Sequence, residues 1–184
     1  FPVGGQSHNS SAYDAEEIAS AIAGVCALGG NMLEAPVYWE QIEPEEGLYD
    51  FASVDTLHKA CDDAGLKLVV LWFGTWKNGE MRYVPEWVKQ DRTRFPRVVG
   101  YDGNRMNVLS SYSVQTRDAD TRAFVELCRH IERVEGEEQT VVAVQVENEP
   151  GILGSDRDYG EAAAAAVREQ VPSSLLEYLR GRST

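Results

Sequence analysis

Two apolar runs constrain this chain more than any other feature: Leu66-Lys-Leu-Val-Val-Leu-Trp-Phe73 and Thr140-Val-Val-Ala-Val-Gln-Val-Glu147. Near-continuous runs of this kind read as parallel strands covered on both faces. Two further strand-like runs precede them, a stub from Phe1 to about Gln6 and a longer one from Gly30 to Tyr38. Amphipathic helices lie between. Asp14 with Glu17 makes a capping box for a helix that carries Ile18, Ile22, Val25 and Cys26 on one face and ends at Gly29-Gly30. Ser53 begins a second, with Val54, Leu57, Cys61 and Ala64 inward and Gly65 as its stop. A third spans about Asp118 to Val134, striped by Phe124, Leu127, Cys128 and Ile131. The order β-α-β-α-β-α-β predicts a parallel sheet with right-handed crossovers. The tail adds helical stretches at Ala162 to Val167 and Ser173 to Leu179.

At 184 residues the chain is one domain's worth. Thirty acidic against seventeen basic residues give a net charge of −13, which argues against nucleic acid or an anionic membrane as partner. The imbalance is concentrated in residues 1–65, where Lys59 is the only base among twelve acids. No run reaches the ~18 apolar residues of a membrane span. Cys26, Cys61 and Cys128 each fall at an apolar helix position, so all three are expected to be buried free thiols, which favours a cytoplasmic over a secreted or periplasmic location. The opening Phe1-Pro2-Val3-Gly4-Gly5 has no initiator Met and no signal-peptide core, so either processing has removed a segment or the chain is an excerpt. Residues 74–117 form one connection far longer than an ordinary βα loop of about 2–6 residues. Its Arg82, Lys89, Arg92, Arg94, Arg97 and Arg105 suit either phosphate binding or pairing with the acidic first third.

Several chemistries lack support. There is no glycine-rich phosphate or dinucleotide motif, no nucleophile elbow, and His8, His58 and His130 stand far apart, so no cofactor and no metal are expected. What remains is a set of carboxylates and aromatics at strand C-termini, where α/β barrels place their catalytic groups. The last strand runs into Glu147-Asn148-Glu149-Pro150-Gly151. Ionised groups are costly inside a buried sheet. Either this strand ends at Val146 and its polar successors are solvated, or a carboxyl is held at the apolar rim with its pKa raised enough for a general acid. Trp39, Trp72 and Trp76 also lie at strand ends, and tryptophan suits the C–H face of a sugar. Core packing is the other reading, and it fits Trp72 better than Trp76. Trp87, beside Pro85 in the long connection, reads as a packing residue.

The stretch W-E-Q-I-E-P-E-E-G-L-Y-D-F at 39–51, with V-D at 54–55 and Q-V-E-N-E-P-G at 145–151, resembles clan A glycoside hydrolases, and among them the β-galactosidase families 35 and 42. H-N-S-S at 8–11 and W-F-G-T-W-K-N-G at 72–79 are similar to a bacterial branch of family 35. The resemblance implies a (β/α)8 TIM-type barrel of which this chain supplies about the first four βα units, with residues 1–184 the N-terminal part of one catalytic domain. It implies hydrolysis of terminal β-galactosides with retention. Glu149 matches the acid/base glutamate, and Asn148 matches the asparagine that binds the hydroxyl beside the anomeric carbon. His8, Asn9, Glu34, Tyr38, Trp39 and Trp76 become candidate substrate-binding residues. The family's nucleophile follows strand seven, outside this chain. Phe73-Gly74-Thr75-Trp76 stands where the family commonly has alanine-glutamate-tryptophan, and Pro150 where tyrosine is usual.

Two other readings stay open: a clan A glycosidase of different sugar specificity, such as a mannosidase or glucosidase, and a non-catalytic carbohydrate-binding or structural half-barrel. In each the partner is carbohydrate, with no nucleic acid and no membrane. Four βα units also leave open sheet edges, so the isolated chain is expected to self-associate and to be inactive.

Overall fold

The computed structural model describes residues 1–137 and 139–181. The expected domain therefore lies within it except for Glu138 and residues 182–184. In chain order the first half contains β1 (Gly4–Gln6), α1 (Ala15–Ala27), β2 (Met32–Tyr38), a single turn α2 (Trp39–Ile42), α3 (Ala52–Asp63) and β3 (Lys67–Lys77). The second half contains α4 (Glu86–Gln90), β4 (Arg97–Val99), β5 (Arg105–Leu109), α5 (Val114–Val134), β6 (Val141–Asn148), α6 (Glu161–Ala166) and α7 (Ser173–Gly181).

One four-stranded sheet runs β1-β2-β3-β6, every pair parallel. Its register sets Gln6 against Glu34, Glu34 against Val69, and Val37 against Trp72, which in turn faces Val146. Period-two alternation puts Leu33, Ala35 and Val37 on one face with Val70 and Trp72, all buried. Helices α1, α3 and α5 pack on this sheet, as the apolar stripes require. This is the β-α-β-α-β-α-β order expected. β1 and β6 form the two edges, and Val142 and Val146 on β6 are 52% and 60% exposed.

The helix ends follow their local signals. Asp14 accepts from the Glu16 and Glu17 N–H groups at 3.0 and 2.9 Å, and Glu17 accepts from the Tyr13 N–H at 3.0 Å. Gly29 and Gly65 take φ of +69° and +65°, past the last turns of α1 and α3, where a Cβ would be strained. α5 starts earlier than Asp118 because Ser113 caps it, accepting from the Thr116 N–H at 3.1 Å.

Three packing expectations are corrected. Cys26 and Cys128 are exposed and only Cys61 is buried, its thiol pushed up to about 12 by desolvation. The buried stripe of α5 runs Thr116, Ala119, Asp120, Ala123 and Leu127, which turns Cys128 outward. Ala64 is also exposed, since α3 has ended by that point. Finally, the 74–117 connection is structured. β3 continues to Lys77, and β4 and β5 form an antiparallel hairpin closed at Asp102-Gly103, where the Gly100 N–H donates to the Asn104 carbonyl at 2.8 Å. Of its cations, Arg94 pairs with Glu46 and Lys89 with Glu40, as one reading of the charge pattern anticipated.

Candidate active site

The C-terminal tip of β6 is stapled to the turn that follows β3. The Asn78 N–H donates to the Asn148 carbonyl and the Gly79 N–H to the Glu149 carbonyl, each at 3.2 Å. Glu147 and Glu149 adopt φ of +61° and +49°, which breaks strand alternation and sends consecutive polar side chains in different directions.

Glu147 turns toward α5. Its carboxyl oxygens accept from the Thr75 N–H at 2.9 Å and the Trp76 N–H at 2.8 Å. Beside it Asp120 accepts from the Trp72 indole N–H and the Thr75 N–H, both at 2.9 Å, and from the Thr75 hydroxyl. Gly74 makes room for this. A Cβ there would stand 2.7 and 2.8 Å from the two Asp120 carboxyl oxygens. Burial first, then hydrogen bonding to Asp120 and its charge, push the Glu147 carboxyl well above the usual range, against the lowering effect of the Trp76 and Thr75 N–H groups. A side-chain hydrogen bond joins the two carboxyls. A cavity of about 240 Å3 adjoins them, lined by Thr116, Phe124 and Val146 among others.

Asn148 and Glu149 face away from that pair. Lys77, almost fully buried at the end of β3, donates from Nζ to the Asn148 and Asn78 side-chain oxygens, each at 2.5 Å. Its ammonium sits 4.9 Å from the Phe73 ring centroid. Burial lowers the Lys77 pKa, and the charge of Glu149 opposes that shift. The Asn148 amide is thus held by its oxygen, leaving its NH2 to donate elsewhere. Glu149 is exposed. A raised carboxyl at the strand tip was expected for a general acid; in the structure the raised group is Glu147.

The remaining candidates separate. Trp76 is half-buried, between the cavity beside Glu147 and one of about 290 Å3 lined by Leu109, Pro150 and Ile152. Trp39 is fully buried, its indole N–H donating to Glu43 at 2.9 Å and its ring set edge-on to Trp87, so it offers no face to a ligand. Trp87, with its N–H on the Glu43 carbonyl at 3.0 Å, is the packing residue anticipated. Tyr38 is also fully buried and stacks on Tyr13 at 4.3 Å, with its hydroxyl on the Asn9 carbonyl at 2.9 Å. Aromatic packing across the ends of β2 and β3 claims both side chains. His8 is exposed, Asn9 half-buried, and Glu34 half-buried within β2. The structure therefore sets Trp76, near the end of β3, beside Asn148 and Glu149 at the tip of neighbouring β6, adds Lys77, Asp120 and Glu147, and buries Trp39 and Tyr38. A lysine ending an apolar strand and an aspartate inside an apolar helix stripe were the available signals for the additions.

A family model for glycoside hydrolase family 42, described as β-galactosidase, matches residues 9–174. The chain belongs to that family. No curated protein matches this glycoside hydrolase chain significantly. Solved structures do. A polyextremophilic β-galactosidase from the Antarctic haloarchaeon Halorubrum lacusprofundi superposes with a TM-score of 0.67 at 21% identity, over 88% of this chain and 23% of its own. The exo-β-1,4-mannosidase Op5Man5 from Opitutaceae bacterium strain TAV5 gives 0.57 at 20%, over 80% and 25%. A GH5_18 protein from Streptomyces cattleya, in complex with GlcNAc, gives 0.54 at 15%, over 91% and 39%. The fold is thus part of a TIM-type barrel, and the chain spans roughly a quarter to two-fifths of the structures it matches. None of its helices, among the described residues, is long and apolar enough to cross a membrane.

Proposed function

We propose that this chain carries the acid/base part of a retaining glycosidase that removes terminal β-galactosyl residues, with Glu149 as the acid/base. The observation that carries the reading is the strand tip itself. Glu149 stands exposed at the end of β6, directly after an Asn148 whose amide is oriented by a buried ammonium. In double displacement the acid protonates the leaving oxygen, then takes a proton from the water that releases the sugar. Asn148, its oxygen held by Lys77, presents N–H donors to the hydroxyl beside the anomeric carbon. Trp76 supplies a half-exposed aromatic edge for the sugar. The nucleophile, about 5–5.5 Å from Glu149 in a retaining pair, comes from chain outside these residues.

Glu149→Gln in the full protein should slow hydrolysis of glycosides with poor leaving groups by roughly 10²–10⁴-fold, and activated aryl β-galactosides far less. Equal losses for both would refute the assignment. A panel of aryl mannosides and glucosides separates the galactoside reading from its relatives, and no turnover on any of them favours a binding half-barrel. The isolated 184-residue chain should self-associate through β1 and β6 and show no turnover; a monomeric mass in solution, or activity abolished by Glu149→Gln, would reverse that part.

A further inference from the structure

The connection between β3 and α5 holds a second place suited to a ligand. A cleft of about 810 Å3, within the size range of small-molecule sites, opens between residues 80–82, α4 and the β4-β5 hairpin. Its lining includes five bases, Arg82, Lys89, Arg92, Arg97 and Arg105, against two acids, Glu80 and Glu86. This inverts the charge of a molecule that carries −13 overall. Elsewhere the bases find carboxylates readily: Arg94 on Glu46 at 2.5 Å, Lys59 on Asp63 at 2.7 Å, Arg129 on Glu126 at 2.5 Å. In the cleft Lys89 reaches Glu40 at 3.1 Å and Arg82 reaches Glu80 only at 3.7 Å. Arg92, Arg97 and Arg105 form no ion pair with any carboxylate among the described residues.

Arg97 is the most telling of these. It is 7% exposed, and its guanidinium donates to the carbonyls of Phe95 and Lys89, each at 2.8 Å. Carbonyl acceptors satisfy N–H groups without neutralising the charge, and a buried charge lacking a counter-charge is costly. Burial and the nearby Arg92 both push its pKa down. Two of the remaining walls are apolar thioethers, Met81 and Met106, and two are amides, Gln90 and Asn107. An inorganic ion needs neither. A sugar ring uses both, the amides for hydroxyls and the methionines for its C–H face. One wall of the cleft is tied to the end of β3, because Lys77 and Glu80 exchange backbone hydrogen bonds at 2.8 and 3.1 Å.

We propose that this cleft binds an anionic sugar unit, one bearing a carboxylate or a sulfate, through Arg92, Arg97 and Arg105. Guanidinium groups grip both kinds of oxyanion in the bidentate manner. The sugar part rests on the glycosidase reading; the anion part rests on the arginines alone.

Calorimetric titration of the full protein with glucuronic acid, galactose 6-sulfate, galactose and sodium sulfate tests this. Either acidic sugar should bind, more weakly as salt rises, and the two arms distinguish carboxylate from sulfate. Arg92→Gln and Arg105→Gln, both at exposed positions, should each weaken that binding roughly tenfold and leave hydrolysis of a neutral aryl galactoside unchanged. Arg97 is left intact because it holds two backbone carbonyls. Galactose binding as tightly as the acidic sugars would overturn the proposal, as would sodium sulfate matching the sulfated sugar, full affinity in both variants, or no heat from either acid. If the acidic sugars bind and the variants lose them while no glycoside is hydrolysed, the cleft assignment stands and the glycosidase reading falls.

Discussion

Glu147 and Glu149 leave the same strand two residues apart and meet opposite fates. On the α5 side, Glu147 is buried against a second carboxyl, which raises its pKa, and accepts from two backbone N–H groups, which clamps it to the end of β3. On the other side, Glu149 is solvent-exposed, near a buried lysine. The chemical type is identical, and environment assigns the role. A raised pKa therefore marks the scaffold here, and the residue proposed for proton transfer is its neighbour.

The largest effect expected on the clamp side is from Asp120→Ala. It strands the Trp72 indole N–H and the Thr75 hydroxyl in a buried place, while the Thr75 N–H keeps Glu147 as acceptor, and should cost on the order of 3 kcal/mol. Urea unfolding measures it; a loss below about 1 kcal/mol would mean that water replaces the carboxylate and that the clamp is dispensable.

On the Glu149 side, Lys77→Met keeps much of the buried volume but frees the Asn148 amide. We expect kcat/KM to fall roughly ten- to hundredfold, the worth of a hydrogen bond to a charged group. A glycoside lacking the hydroxyl beside the anomeric carbon should show no further loss in the variant. If both substrates suffer alike, Lys77 acts on something other than Asn148.

A further test reads Glu147 by pH. Because the Glu147 pKa is raised on folding, the folded state holds its proton more tightly than the unfolded chain does. Its contribution is complete below the ordinary carboxylate range and is lost as pH climbs toward the raised value. Urea midpoints at pH 5 and pH 9 should thus differ more in the wild type than in Glu147→Gln. Parallel slopes would mean that Glu147 is ionised in the fold.

Much of the scaffold was legible in the sequence because its signals are local. The apolar runs at 66–73 and 140–147 became β3 and β6, and Asp14 with Glu17 did cap α1. The hairpin was missed although Asp102-Gly103 is a turn signal, because three- and five-residue strands carry too little periodicity to register. The site was legible in part. Asn148 and Glu149 end β6 beside Trp76 near the end of β3. Trp39 and Tyr38 were misplaced, since sequence position brings them to a strand end but only tertiary packing decides which face they present. Lys77 and Asp120 stood out only as polar residues in apolar contexts, a lysine at a strand end and an aspartate in a helix stripe, and nothing in the sequence said what they hold. Each becomes meaningful through a partner about 45–70 residues away, Trp72 for Asp120 and Asn148 for Lys77.

The absence of a side chain at Gly74 carries a consequence for how this branch can diverge from its relatives. A Cβ at that position would meet the Trp72 indole nitrogen first and then both Asp120 carboxyl oxygens, so the glycine, the indole and the aspartate are sterically coupled. A bulkier residue at position 74 requires both the Trp72 indole and the Asp120 carboxylate to shift. A chimera whose grafted β3 brings a larger residue to this position should therefore fold better when the matching segment of α5 is grafted with it.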